Sequence, residues 1–383
     1  MIEGLEKYME EKGLEVNVKK TKVMRCRKGG GRWKNVIWKW KGKKLEEVKK
    51  YKYLGYVMMA NGKCKEHLKE RVRKGAAVMR EVWGIGKRRF RDDWARRLWL
   101  FDKLVWTVMS YGVEIWGWRE REEVERIHYR CLRWINGVGW RTPGYLVREE
   151  LMREKMRGRA GMRAWGYERK LGEGRGGEIA RWCWEEWREK ARRGKVVGEC
   201  ERERREFYEE KGWKIEEVER MREEGEMRGE EIVRREKRWQ EEERWGKIEK
   251  SRSNVWYSWI KGKGIPGYLK KGWKEKRWQR VATFRLGEEI RSNRYWEEEE
   301  NRKCRVCGRE EETWEHIWEE CTDWGREKGW RDMVEEILGE EGGGEEWMRK
   351  IEEWRGVGIV GEGEECEKSE SEEGDGNGGP RYE

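Results

Sequence analysis

Apolar positions recur along this chain with two different periods. Residues 2 to 12 read as a short amphipathic helix that stops at Gly13. Leu14, Val16 and Val18 then alternate, as do Val23 and its neighbours, which predicts two short strands ahead of a turn or flexible loop at Gly29-Gly30-Gly31. Ile37, Trp38 and Trp40 predict a third strand, and Tyr51 to Met58, around Gly55, a fourth. After Gly62 the period lengthens: Leu68, Val72, Ala76, Met79 and Trp83 return every three or four residues, as on one buried helix face. Arg91 to about Trp116 is apolar on several sides (Trp94, Leu98, Phe101, Leu104, Val105, Val108) and predicts the centre of a bundle. Val124, Ile127, Cys131 and Leu132 mark a third helix, and Pro143 starts a fourth, with Thr142 as its N-cap.

Further on, the pattern thins. Gly174 to Lys250 carries Glu and Arg or Lys at every turn and predicts a solvated helix or a partly disordered connector. From Tyr268 a basic helix leads through Val281, Phe284 and Leu286 into a cysteine cluster. From Gly339 the chain is rich in Glu and Gly (Glu362, Glu364, Glu365, Glu367, Glu370, Glu372, Glu373), which predicts a disordered acidic tail. The fold class is therefore α+β, mainly α. A small N-terminal antiparallel sheet (1–60) precedes a helical bundle (61–173), a charged helical connector (174–280), a small cysteine-bearing unit (281–338) and the tail (339–383).

Composition sharpens this picture. Charged residues make up 44% of the 383 and hydrophobic ones 35%, so a core along the whole length is not expected. Yet 29 tryptophans supply large apolar surface, each burying on the order of 150–250 Å². Pro 3, His 3 and Phe 4 are scarce, a usage that points to a cytosine-poor coding strand and makes any single Trp or Arg weaker functional evidence. A net charge of +12, concentrated in residues 1 to 170, favours a polyanionic partner, because Lys and Arg displace counterions from phosphates. The N-terminus alternates charge and does not read as a signal peptide. The most apolar stretch, Leu98 to Trp118, contains Asp102, Lys103 and Glu114, which argues against a membrane span. Nine scattered cysteines form no even disulfide framework and predict a reducing, intracellular setting, cytoplasm and/or nucleus.

Three of those cysteines cluster with a histidine as Cys304-x2-Cys307-x8-His316-x4-Cys321. Zinc takes four tetrahedral N or S ligands, and a C-x2-C turn delivers two thiolates at about 2.3 Å from one ion. Gly308 suits the turn, and Thr313 or a neighbour starts a short helix presenting His316. On an ideal helix Cys321 lies about 140° round from His316, so that helix must end or open before Cys321. With no open coordination position, the expected Zn2+ is structural.

The N-terminal region carries a more specific pattern. Gly13-Leu14-Glu15-Val16-Asn17-Val18-Lys19-Lys20-Thr21-Lys22-Val23-Met24 resembles the segment after the catalytic Asp-Asp strand in non-LTR (LINE-type) retrotransposon reverse transcriptases. Tyr51-Lys52-Tyr53-Leu54-Gly55-Tyr56 resembles the primer-grip hairpin of that family, and the C-terminal Cys-His motif resembles the one these polymerases carry after the thumb. The resemblance spans roughly residues 1 to 325 and implies a palm remnant, a thumb, a connector and a CCHC zinc unit. It implies that Lys20 lies near the incoming triphosphate, that Thr21 shapes its strand, and that Tyr53, Leu54 and Gly55 position the primer terminus. Independently of that resemblance, a nucleic-acid-binding protein would use the basic helix residues Arg71, Arg73, Lys74, Lys87, Arg88 and Arg89 along a duplex backbone, with RNA and DNA as the expected partners.

The family's metal-holding aspartates lie upstream of the matched segment. The only Asp-Asp pair here, Asp92-Asp93, sits at a helix start and reads as a cap. No catalytic residue is therefore assigned, and Mg2+ is expected only in an intact parent enzyme. The stretch between Cys307 and His316 contains Glu310, Glu311 and Glu312, which repel phosphate and suggest that the zinc unit braces the fold. Two other readings stand beside this one: a non-enzymatic nucleic-acid-binding zinc protein, and a charge-rich helical interaction protein. Oligomeric state is not legible.

Overall fold

Alternating apolar residues do not by themselves make a strand, and the N-terminal region illustrates why. In the computed structural model, which describes residues 2–26, 35–193, 198–251, 254–294, 296–321 and 328–356, helix α1 (Ile2–Glu11) is followed by a turn over residues 17–21 in place of the expected strand. The Asn17 carbonyl accepts from the Lys20 and Thr21 amides at 3.1 and 3.0 Å, and its side chain accepts from Lys20 at 3.2 Å. Asn competes for local backbone in this way and diverts it from ladder formation. The loop expected at Gly29–Gly31 lies outside the described residues.

The strands that do form are short. β1 (Lys22–Val23) pairs in parallel with β4 (Glu46–Glu47), β2 (Lys39–Trp40) pairs antiparallel with β3 (Lys43–Lys44), and β5 (Lys50–Tyr53) pairs antiparallel with β6 (Tyr56–Met59). These are three separate two-stranded ladders and not the single four-stranded sheet expected. Half of their residues are Lys or Glu, and they offer no shared apolar face on which a wider sheet could close.

The helical bundle follows as its periodicity predicts. α2 (Lys65–Arg89) buries Leu68, Met79 and Val82 along one face. At Gly75 a Cβ would sit 2.3 Å from the Met109 side chain, so glycine there sets how closely the helices approach. The long apolar helix expected from Arg91 to Trp116 is broken: α3 (Trp94–Leu100) runs through a π-helical turn (Phe101–Val105) into α4 (Trp106–Met109), and α5 (Val113–Trp116) restarts after Gly112, whose φ is +72°. Asp93 caps α3, accepting from the Arg96 amide at 2.7 Å, as expected of it. α6 (Glu122–Asn136) and α7 (Gly144–Glu150) complete the bundle with α8 (Met156–Gly172). Thr142 does not cap α7; its hydroxyl donates to Glu288 at 2.5 Å.

The connector is packed, which corrects the expectation of a solvated or partly disordered segment. α10 (Glu199–Glu209), α11 (Ile215–Glu223) and α12 (Gly229–Glu249) enclose an apolar cluster with Trp118, Trp165, Phe207, Tyr208, Trp213 and Ile232, and α9 (Glu178–Arg192) is joined to them by Arg188, which pairs with Glu219. Their charges meet in buried pairs: Arg204 with Glu168 at 2.6 Å, Lys211 with Glu236 at 2.7 Å, Arg157 with Glu236 at 3.1 Å. A count of charges along the chain cannot distinguish solvated residues from residues paired across helices.

α13 (Tyr257–Ile260), α14 (Glu275–Arg285), α15 (Glu299–Arg302), α16 (Trp314–His316), α17 (Trp330–Leu338) and α18 (Glu345–Trp354) form the C-terminal part. One continuous cluster of buried side chains runs from Leu68 of α2 to Ile351 of α18. At its centre Arg285 pairs with Glu150 at 2.7 Å, both fully buried, and Tyr257 and Tyr268 donate their hydroxyls to the same carboxylate at 2.7 and 2.8 Å. The acidic tail expected from Gly339 therefore starts too early: α18 buries Trp347, Met348 and Ile351. Glu362 to Glu373 lie outside the described residues. Among the described residues no helix is long and apolar enough to cross a membrane.

Candidate metal centre and nucleic-acid interface

The Cys304-x-x-Cys307 segment folds into a tight turn because its amides have nearby acceptors. The Gly308 amide donates to the Cys304 carbonyl at 2.8 Å, and the Cys304 amide donates to Glu310 at 2.7 Å. Gly308 takes φ +70°, which a side chain would strain. Thr313 caps α16, accepting from the His316 amide at 3.0 Å, and so fixes the start of the turn that presents the imidazole. Beyond His316 the helix widens into a π-helical turn over Ile317–Cys321. Such a turn closes between residues five apart, so Cys321 comes round beside His316 where an α-helix would carry it away.

Four ligand atoms converge. Cys304, Cys307, His316 and Cys321 each offer one, all within 4.8 Å of one another, and the cluster can hold a metal ion. The sulfurs of Cys304 and Cys321 are 3.7 Å apart. Bonds of about 2.3 Å at the tetrahedral angle would separate them by about 3.8 Å. His316 Nε2 lies 3.1 Å from the Cys307 sulfur and 3.0 Å from that of Cys321, where bonds of about 2.3 and 2.0 Å at the same angle would place nitrogen and sulfur about 3.5 Å apart, so seating an ion moves the ring outward by about half an ångström. Burial opposes ionisation of the Cys307 thiol, but the Arg309 and Glu310 amides and the neighbouring Cys321 and His316 outweigh it and lower its pKa to about 6.

Residues not assigned from sequence to holding the ligands support this cluster. Glu320 takes the other imidazole nitrogen, Nδ1, at 2.9 Å, an outer partner that orients the ring and leaves Nε2 for the metal. Its signal was local, a carboxylate four residues after the histidine. Glu312 is fully buried; it receives two hydrogen bonds from the Arg305 guanidinium, at 2.7 and 3.0 Å, and lies 3.2 Å from Arg355 beyond α18. Burial opposes its ionisation, and the two arginines overcome this and hold its carboxyl below the usual range. Trp314 and Trp318 bury beside Trp347 of α18, the latter pair with ring centroids 4.6 Å apart. The metal loop is thus built into the main core.

At the other end of the chain, Tyr53, Leu54, Gly55 and Tyr56 form a two-residue hairpin turn with positive φ at both central positions, +46° for Leu54 and +82° for Gly55. Both turn carbonyls are held from below: Tyr111 donates its hydroxyl to that of Leu54, and Arg71 donates to that of Gly55 at 3.0 Å. His67 takes the Val57 amide at Nδ1 (3.2 Å), reaches the Tyr111 carbonyl with Nε2 (2.9 Å) and stacks on Tyr56 at 3.9 Å. Burial lowers its pKa below the ordinary value of 6.5. Leu54 is left 77% exposed and Tyr53 54%.

The other sequence-proposed contacts are scattered. Arg71 is buried under the hairpin, its guanidinium 4.9 Å over the Tyr111 ring, and does not face a backbone partner in solvent. Arg73 is exposed and lines a cleft of about 320 Å³ with Lys50, Lys52 and Lys69. Lys74 pairs with Glu70 at 3.2 Å. Lys87 lies over Trp83 at 4.7 Å, and Arg88 and Arg89 are exposed at the far end of α2, about 26 Å along its axis from Arg71. Lys20 is exposed and Thr21 half-buried on the 17–21 turn, and none of the described contacts joins them to the hairpin. Tyr111 and His67, which anchor the tip, had no local signal; Tyr111 is 57 residues from the carbonyl it holds.

In comparisons with known proteins, no family model, no curated protein and no solved structure matches this chain.

Proposed function

We propose that this chain is the C-terminal part of a non-LTR retrotransposon reverse transcriptase, carrying the end of the palm, the thumb, the connector and a CCHC zinc unit. In this reading it grips an RNA–DNA primer–template duplex and does not extend it. The observation that carries the reading is the hairpin: its two turn carbonyls are occupied from the helical bundle, while Tyr53 and Leu54 point outward on a fixed tip. A tip so held suits contact with a terminal nucleotide's backbone. Asp93 caps α3 and Asp92 accepts from the Glu275 amide at 2.9 Å, so both serve the packing of helix ends.

The metal we assign is Zn2+. Three thiolates and an imidazole in a closed set favour zinc over hard cations such as Mg2+, and the role is structural. Ionised thiol ligands also fit a reducing compartment, cytoplasm and/or nucleus. The full chain should bind a primer–template duplex with steep salt dependence and should incorporate no nucleotide in the presence of Mg2+. Y53A/L54A should weaken binding of a recessed primer end more than of a blunt duplex. Equal loss on both, no duplex binding at low salt, or measurable incorporation would each defeat the reading. A non-enzymatic nucleic-acid-binding zinc protein would use the same surfaces; an upstream reading frame encoding the palm strands separates the two.

A further inference from the structure

Most cations of the connector are matched by a glutamate, and the groove between α8 and α12 departs from that rule. It encloses about 880 Å³ over an apolar floor of Met162, Trp165, Met227 and Val233. Trp165 is fixed in place: a Cβ on Gly229 would come within 2.8 Å of its ring, and the Arg169 guanidinium lies over it at 5.1 Å. Along the rim Arg228, Lys237 and Arg238 are exposed, and among the described residues no carboxylate pairs with them, although Glu230 and Glu241 also line the groove. Arg234, by contrast, is occupied by Glu231.

The two features together narrow the ligand. A simple anion needs the cations but not the floor, and an apolar ligand the reverse. Arg228 and Lys237 are about 13 Å apart along the α12 axis, which suits a string of charges better than a single one. Flat apolar faces joined by spaced phosphates describe a single-stranded nucleic acid, whose bases stack on apolar, aromatic and arginine surfaces while cations track the backbone. In a duplex those faces are stacked inside and cannot reach a recessed floor. Methionines add polarizable surface that adapts to different bases.

We propose that the α8–α12 groove binds single-stranded nucleic acid, with bases against Met162, Met227 and the Arg169 guanidinium that covers the buried Trp165, and the backbone along Arg228, Lys237 and Arg238. The ligand class rests on the polymerase reading; the site does not, since that reading places duplex on the hairpin and α2.

The test uses the full chain, a fluorescently labelled single-stranded RNA of about 12 nucleotides and a duplex of the same sequence. R228E/K237E/R238E changes only exposed side chains, and an unchanged circular dichroism melt verifies its fold. It should weaken the single strand about ten-fold or more, lower the slope of log affinity against log salt by about two, and leave duplex binding within about two-fold. M227E should weaken the single strand as well, and 4-thiouridine in the RNA should crosslink to peptides bearing Met162 or Met227. Unchanged affinity in the triple variant overturns the proposal. So does displacement of the RNA by poly-glutamate at equal charge, which would mark the groove as a seat for acidic protein segments. Duplex binding without single-strand binding sinks this site and leaves the polymerase reading intact; groove-dependent single-strand binding without duplex binding does the opposite; binding of neither removes both.

Discussion

Glu320 touches no thiolate, yet it decides which imidazole nitrogen faces the metal. Loss of such an outer partner weakens metal affinity about 10–100-fold, so E320Q should shift a zinc competition titration by that factor while the fold persists at saturating metal. C304S or H316A removes a ligand outright and should lower the bound zinc well below one per chain, read by elemental analysis. Glu150 and Arg285 make the opposite point about buried charge. Burial penalises the Glu150 carboxylate, but Arg285 and the two tyrosine hydroxyls outweigh this and hold its pKa below the usual value. R285M leaves that carboxylate without its cation and should cost about 3–5 kcal/mol in a denaturant melt. E150Q/R285M should cost less than R285M alone; an equal or larger loss would mean that the arginine acts by packing only.

The shape of the β5–β6 hairpin is held from outside, by Tyr111, Arg71 and His67. Leu54 adopts the left-handed conformation that most side chains avoid at roughly 1–2 kcal/mol, so L54N or L54G should raise the melting temperature slightly. If the exposed leucine serves nucleic acid, the same variant should lose duplex affinity, a stability gain with a functional loss. His67 gives the hairpin a pH dependence. Its folded pKa lies below the unfolded 6.5, so its contribution is complete above that value and declines as pH falls through it toward the folded pKa. The protection factors of β6 amides, corrected for the intrinsic pH dependence of exchange, should fall below about pH 6.5, and H67Q should remove most of that acid-dependent step. His128, fully buried in α6, shifts in the same direction, so a global melt alone would not separate the two.

The C-x2-C-x8-H-x4-C spacing was readable because a metal imposes its own geometry on sequence, and the requirement that the helix open before Cys321 is met by the π-helical turn. Helices with one apolar face, such as α2 and α6, were equally legible. What escaped were relations between distant residues. Leu14, Val16 and Val18 alternate without partners to pair with, and Asn17 turned the chain instead. Arg204 and Glu168 look solvated in sequence and are buried against each other. Trp347 and Ile351 were hidden in an acidic average.

Over the whole chain, the cluster that joins Leu68 to Ile351 links the metal loop to the bundle. Chelation should therefore shift the main unfolding transition and not a separate minor one. Two resolved melting transitions, only one of them sensitive to chelator, would show that the units fold apart. Trp318, on the turn that carries Cys321, and Trp347 lie with ring centroids 4.6 Å apart, and Trp314 lies 6.1 Å from Trp347. Such a stack absorbs as a coupled chromophore, so the near-ultraviolet dichroism of this chain should carry a signed couplet that fades when the ion leaves. Co2+ seated among these cysteines should quench emission from these rings by energy transfer, giving any bound ion an optical gauge already built into the core.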